Sequence, residues 1–131
     1  MERNIINPWT WQDRLGFVQA NELSGQQRVL LCAGQTSMDA EGIPVHADDM
    51  RAQIIFVLDN LETVLGQASL SLSNVMRLNY YTTDVDRFFA EYDVVTQRLE
   101  AAACRPASTL LGVQRLAFPE LLIEMEATAV V

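Results

Sequence analysis

The sequence is poor in the residues from which metal centres and disulfide frameworks are built. Its 131 residues include one histidine, His46, and two cysteines, Cys32 and Cys104. The cysteines form no CxxC pair, so we expect two reduced thiols packed as small apolar residues. Without a Cys/His cluster a zinc site is not expected, and His46 is interpreted as an exposed loop residue. We therefore expect no metal and no cofactor.

Positive charge is also scarce. Nine basic residues stand against seventeen acidic ones, which gives a net charge of −8. Nucleic acids bind mainly by exchanging counterions for Lys and Arg, so general RNA or DNA binding is disfavoured. The N-terminus lacks the unbroken apolar stretch of a secretory signal, and no window approaches the ~18 apolar residues of a membrane span. We expect a cytoplasmic protein with neither nucleic acid nor membrane as a partner.

What is present is typical of one globular domain spanning residues 1–131, with half of the residues apolar and a fifth charged. The clearest helix begins after Asp48 or Asp49, either of which can cap it, and stops at Gly66. Apolar residues in it recur at three- and four-residue spacing and form one stripe. These are Met50, Ile54, Ile55, Leu58, Leu61 and Leu65.

Around this helix the pattern favours several strands and one further helix. We predict an irregular arm over the first dozen residues and a turn at Met38–Pro44. Strands are predicted at Arg14–Leu23, Arg28–Cys32, Asn74–Thr83, Ser108–Leu116 and Glu120–Val131. A second helix is predicted from Asp84 or Asp86, with an apolar stripe formed by Phe88, Tyr92, Val95 and Leu99. The order predicts an α+β fold with two helices packed on one face of a mixed sheet. The other face stays uncovered, so we expect subunits to pack sheet against sheet.

Five segments, in order and with compatible spacing, resemble the RidA/YjgF family. They are Gly16–Ala20 (GFVQA), Ala33–Gln35 (AGQ), Tyr80–Asp84 (YYTTD), Cys104–Val113 (CRPASTLLGV) and Leu121–Ala127 (LLIEMEA). The resemblance implies a chorismate-mutase-like fold in homotrimers with ligand clefts between subunits. It also implies hydrolysis of enamines and imines to keto acids and ammonia, in which an arginine holds the substrate carboxylate and a glutamate helps to position water. A planar guanidinium suits that carboxylate because it offers two parallel donors.

The sequence departs from this family at three polar positions. The signature arginine falls on Ser108, the cleft tyrosine on Phe17, and the serine of Ser-Gly-Gln on Ala33. Losing a bidentate arginine removes charge-assisted hydrogen bonds to the substrate carboxylate, which contribute roughly 1.5–3 kcal/mol to binding. We therefore expect a small-molecule-binding protein that is not an efficient 2-imino-acid deaminase. The glutamate of the last strand survives as Glu124.

The candidate catalytic residue is thus Glu124, and the candidate ligand-binding residues are Phe17, Ala33, Gly34, Arg105, Ser108 and Leu110. Strand alternation places Glu124 on one face with Glu126 and Thr128. We expect Glu124 in an interface cleft with a raised pKa, and Glu126 on a solvated face or hydrogen-bonded to neighbouring backbone. The alternative is a working enamine/imine deaminase anchored by Arg105, which otherwise is a surface arginine. A ribonuclease role is disfavoured, and a purely structural assembly stays open.

Overall fold

The computed structural model describes all residues from Met1 to Val131 and confirms the α+β class, with seven strands and three helices. The strands are β1 (Glu2–Ile6), β2 (Ala20–Ser24), β3 (Val29–Leu31), β4 (Gln35–Thr36), β5 (Val75–Thr82), β6 (Ala107–Gly112) and β7 (Ile123–Val130). The helices are α1 (Met50–Gln67), α2 (Val85–Ala90) and α3 (Asp93–Ala101). The segment predicted as a second helix therefore forms two helices, α2 and α3, because the chain turns at Glu91 and Tyr92 before α3 begins.

The main sheet is mixed, as predicted. Its strand order is β3-β7-β5-β6, and β4 also pairs with β7. Strand β7 runs antiparallel to β3, β4 and β5, whereas β5 and β6 are parallel. A parallel pair needs a long crossover, and α2 with α3 supplies it. Strands β1 and β2 form a separate antiparallel pair.

One face of the main sheet is covered by the helices. Helix α1 is capped by Asp49, whose side chain accepts a hydrogen bond from the Ala52 backbone N–H. The predicted stripe of α1 is buried except for Ile55, which is 40% exposed. The stripe joins inward residues of β5 and β7 in one apolar core, which includes Leu58, Leu61, Leu78, Tyr80, Ile123, Met125 and Ala127. Burying each large side chain of this kind stabilises the fold by about 1.5–3 kcal/mol.

The opposite face of the main sheet, here called the open face, carries no helix. From Ile123 to Ala129 buried and half-buried residues alternate along β7, with Ile123 and Met125 buried and Glu124 and Glu126 half-buried. At the β3 edge Leu31 is 77% exposed. The prediction of an uncovered face is confirmed, while its coverage by another subunit stays a prediction. None of the three helices has the length and apolar character that a membrane span requires.

The N-terminal predictions need correction. The supposed irregular arm contains β1, which pairs along its whole length with β2. The strand predicted from Arg14 starts only at Ala20, because Asp13–Leu15 form a 3-10 turn that ends at Gly16 with φ +78°. That left-handed conformation favours glycine and breaks an extended chain.

Three further boundaries differ from expectation. Helix α1 passes through Gly66 and ends at Gln67, and the chain then turns at Ser69 with φ +59°. Simple alternation along β5 would place Val75 on the outward face with Arg77. The pairing is irregular between these two residues, and Val75 is fully buried instead. Strand β6 ends at Gly112, four residues early, since only Val113 continues the backbone hydrogen bonding to β5.

The histidine and the cysteines lie as expected. His46 is exposed in the loop before α1. Both cysteines are free thiols. Burial raises the pKa of Cys104 to about 12, so this thiol is an inert part of the core.

Candidate functional site

The residues predicted for the site lie on opposite faces of the main sheet. In the parallel register of β5 and β6, Ser108 pairs with Leu78 and Leu110 pairs with Tyr80. Paired residues of neighbouring strands point to the same face, so Ser108 and Leu110 face the helices. Glu124 pairs with Tyr81 and points to the open face. The candidate residues therefore form two separate groups, one on each face of the sheet, and each group is here called a half-site.

The half-site on the helix side is a cavity of about 140 Å³, here called the aromatic cavity. It is bordered by Leu15, Phe17, Tyr80, Phe88, Phe89, Tyr92, Ser108 and Leu110. No charged side chain is among these residues. The structure thus brings together three of the predicted ligand-binding residues, Phe17, Ser108 and Leu110, in one apolar enclosure.

Two hydroxyl groups in the aromatic cavity have no hydrogen-bond partner. They are the Tyr80 hydroxyl and Ser108 Oγ, and both atoms are buried. The third hydroxyl, that of Tyr92, donates to the Leu15 carbonyl oxygen at 2.8 Å. Burial raises the pKa of Tyr80 well above its ordinary value, so the phenol keeps its proton. An unpartnered buried hydroxyl costs free energy, which a polar ligand group would recover.

The half-site on the open face is formed by Glu124 and Gly34. A Cβ atom on Gly34 would lie 2.0 Å from Glu124 Oε1, so the carboxylate occupies the space that any side chain at position 34 would need. Burial raises the pKa of Glu124, and the negative charge of Glu126 raises it further. That direction suits a proton donor. Ala33 is exposed beside them, and its carbonyl oxygen accepts a hydrogen bond from the Gln35 side chain.

Glu126 differs from the sequence expectation, because side chains hold it in place. The Tyr81 hydroxyl donates to its carboxylate, and Asn79 Nδ2 donates to the same oxygen at 3.3 Å. These two hydrogen bonds lower the pKa of Glu126. Alternation along β5 is enough to predict that Asn79 and Tyr81 share one strand face. The sequence does not reveal the strand register that brings them to Glu126.

Arg105 does not border the aromatic cavity. Its side chain is half exposed, and its guanidinium lies 3.3 Å from an Asp13 carboxylate oxygen. Its backbone carbonyl accepts a hydrogen bond from Arg3. Within one subunit the structure therefore places the alternative anchor at the surface, outside both half-sites.

Sequence reasoning missed five residues that border the aromatic cavity. They are Leu15, Tyr80, Phe88, Phe89 and Tyr92. The sequence predicts Phe88 and Tyr92 as part of an apolar helix stripe, which is as typical of a core as of a pocket wall. One sequence feature could have indicated an aromatic-lined cavity. The segment after β5 is rich in aromatic residues, namely Phe88, Phe89 and Tyr92, and β5 itself contains Tyr80 and Tyr81.

Comparison with known proteins relates this chain to one family. A family model described as Endoribonuclease L-PSP matches residues 14–131. A RutC family protein of Pyrococcus abyssi is 30% identical over 100 residues, 76% of each chain. Among solved structures, YyfB of the conserved Rid protein family from Yersinia pestis shares 38% identity over the whole of both chains, with a TM-score of 0.87. Rv2704 of Mycobacterium tuberculosis, from the YjgF/YER057c/UK114 family, shares 28% identity over 99% of this chain and all of its own, with a TM-score of 0.66.

Proposed function

The chain belongs to the endoribonuclease L-PSP family, and we propose that it is a homotrimeric small-molecule-binding member whose ligand lies in clefts between subunits. The observation that carries the proposal is the separation of the two half-sites. Phe17, Ser108 and Leu110 face the helices, whereas Gly34 and Glu124 face the other way. One subunit cannot bring both groups to a single small ligand, but two neighbouring subunits can.

The surface of the sheet supports assembly between copies. Val29 and Leu31 on β3 and Leu111 on β6 are 53%, 77% and 49% exposed. Apolar side chains at both edges of an uncovered sheet face favour packing against another protein surface. Ser108 lies on the edge strand β6, so a second subunit seated on that edge can reach the aromatic cavity.

The lining of the aromatic cavity argues against efficient hydrolysis of 2-imino acids. Such substrates carry a carboxylate, and no arginine borders the cavity to hold it. All nine basic residues are arginines, so no lysine is available to form a covalent imine. Losing a charge-assisted grip of roughly 1.5–3 kcal/mol corresponds to about 10- to 150-fold in binding.

The test is hydrolysis of 2-iminobutyrate, generated in place by a dehydratase, together with the molar mass in solution by light scattering. We expect a trimer, no acceleration by the native protein, and measurable acceleration by Ser108→Arg, which restores a cation at the cavity. Ser108→Thr serves as the control because it changes the same position without adding charge. A monomer in solution, or strong acceleration by the native protein, would contradict the proposal.

The alternative function is an enamine/imine deaminase of altered specificity. One observation favours it, namely Glu124 with its raised pKa in the space left by Gly34, since a protonated carboxyl can donate to a leaving amine. If the native protein accelerates the reaction and Glu124→Ala abolishes it, this alternative is correct. Arg105→Ala then asks whether Arg105, from its surface position, holds the substrate.

A further inference from the structure

We infer that the aromatic cavity binds the carbonyl group of a small, uncharged aromatic or cycloaliphatic compound, held by the Tyr80 and Ser108 hydroxyls. This inference rests on the proposed small-molecule function and specifies the class of ligand. It draws on three observations: the size of the cavity, its two unpartnered hydroxyls, and the absence of charge in its lining.

The size of the cavity limits the ligand to about one six-membered ring with a short substituent. Its volume is about 140 Å³. A protein cavity of roughly 150 Å³ lined by apolar side chains holds a single benzene molecule. Four aromatic rings pack against one another here, with centroids of contacting rings 5.4–6.2 Å apart; they are Tyr80 on β5, Phe88 and Phe89 on α2, and Tyr92 just before α3. Such walls favour contact with a flat apolar body.

The polar groups of the cavity fit a carbonyl oxygen. Tyr80 is 2% exposed, and neither its hydroxyl nor Ser108 Oγ has a partner. The two hydroxyls border the same cavity from adjacent strands, Tyr80 from β5 and Ser108 from β6. A carbonyl oxygen has two lone pairs, so it can accept from both hydroxyls and brings no donor that needs a partner of its own. One ligand atom thereby satisfies both buried groups.

The charge of the lining excludes an anion. A carboxylate in the aromatic cavity would lose its hydration and meet only two neutral donors. The guanidinium of Arg105 pairs with Asp13 at the surface and does not compensate that loss. Position 108, where the family has its signature arginine, is a neutral serine in this chain and thus favours a neutral ligand.

The experiment compares three probes with equal numbers of heavy atoms: acetophenone, which has a carbonyl; cumene, which has no polar group; and benzoate, which is charged. Binding is followed by methyl NMR of Leu15 and Leu110 at the cavity, with the exposed Leu31 as an internal control. We expect acetophenone to bind roughly tenfold more tightly than cumene, and benzoate not to bind. Ser108→Ala and Tyr80→Phe should each weaken acetophenone about three- to tenfold and leave cumene unchanged.

Each outcome decides the inference. Equal binding of acetophenone and cumene, or an unchanged acetophenone affinity in both variants, overturns the role of the hydroxyls. Tighter binding of benzoate overturns the neutral class and favours the deaminase alternative. A monomeric mass with intact acetophenone binding would instead refute the proposed clefts between subunits while leaving this inference standing, so the two failures are distinguishable.

Discussion

The two faces of strand β7 have different chemistry. Ile123 and Met125 point into the helix-covered core and are fully buried, whereas Glu124 and Glu126 point to the open face and retain partial exposure. The covered face is apolar and continuous, and it accounts for why the chain folds. The open face carries carboxylates, hydroxyl groups and exposed aliphatic side chains side by side, and one of the two half-sites lies on it. Core residues and candidate functional residues therefore alternate along one strand.

The largest expected effect separates folding from assembly. Leu58→Ala removes a fully buried side chain of α1 and leaves a cavity, so we expect a loss of about 2–5 kcal/mol in the free energy of unfolding. Leu31→Ala removes a leucine that is 77% exposed. We expect it to change the stability of the isolated subunit by no more than about 0.5 kcal/mol but to weaken association.

Urea unfolding at a fixed protein concentration measures the first quantity, and light scattering over a concentration series measures the second. If Leu31→Ala leaves association unchanged, the β3 edge is not part of the interface. If Leu58→Ala costs under 1 kcal/mol, the apolar core is not the main source of stability.

A smaller effect contrasts two glycines. Gly66 lies inside α1 with no atom within 4 Å of an added Cβ, so Gly66→Ala should stabilise the protein by about 0.5–1 kcal/mol. Gly34→Ala places its Cβ on the Glu124 carboxylate, which must swing away. That flexible side chain can move, so we expect little change in stability but a fall in the pKa of Glu124 towards its ordinary value.

Thermal unfolding and carboxyl-carbon NMR titration measure these two responses. A Glu124 pKa that stays raised in Gly34→Ala would mean that the space at Gly34 does not bury the carboxylate. A destabilised Gly66→Ala would show instead that this glycine has a packing role.

The covered face could be predicted from the sequence because its information is local. Apolar residues at helical spacing, such as Leu58 and Leu61, need no knowledge of their partner to be assigned to a core. The N-terminal hairpin could not be predicted in the same way, because β1 is defined only by its pairing with β2. Strand pairing across many residues has no local signature.

The candidate site was only partly predictable for the same reason. The resemblance indicates Phe17, Gly34, Ser108 and Glu124, and Leu110 is added because it lies close to Ser108 in the sequence. The division of these residues between two faces follows from the sheet register. The partners of Glu126, namely Tyr81 and Asn79, come from another strand 45 and 47 residues away along the chain. The enclosure of Tyr80 by α2 likewise depends on how the helix crosses the sheet.

The smallest effect is a pH dependence in which Glu124 and Glu126 act in opposite directions. The pKa of Glu126 is lowered, first by the Tyr81 hydrogen bond, so its contribution to stability is present above the ordinary glutamate value of 4.5 and is lost as the pH falls through its folded pKa. The pKa of Glu124 is raised, first by burial, so ionising it costs stability. That cost grows as the pH rises from 4.5 through its folded pKa.

Carboxyl-carbon NMR of the native protein should therefore show Glu124 titrating above 4.5 and Glu126 below it. Tyr81→Phe should raise the pKa of Glu126 and scarcely move that of Glu124, whereas Glu126→Gln should lower the pKa of Glu124 by removing its charged neighbour. Identical titration of both glutamates would show that the open face treats them alike. The proton-donating role of Glu124 in the deaminase alternative would then have no electrostatic basis, because that role depends on the raised pKa of the more buried carboxyl.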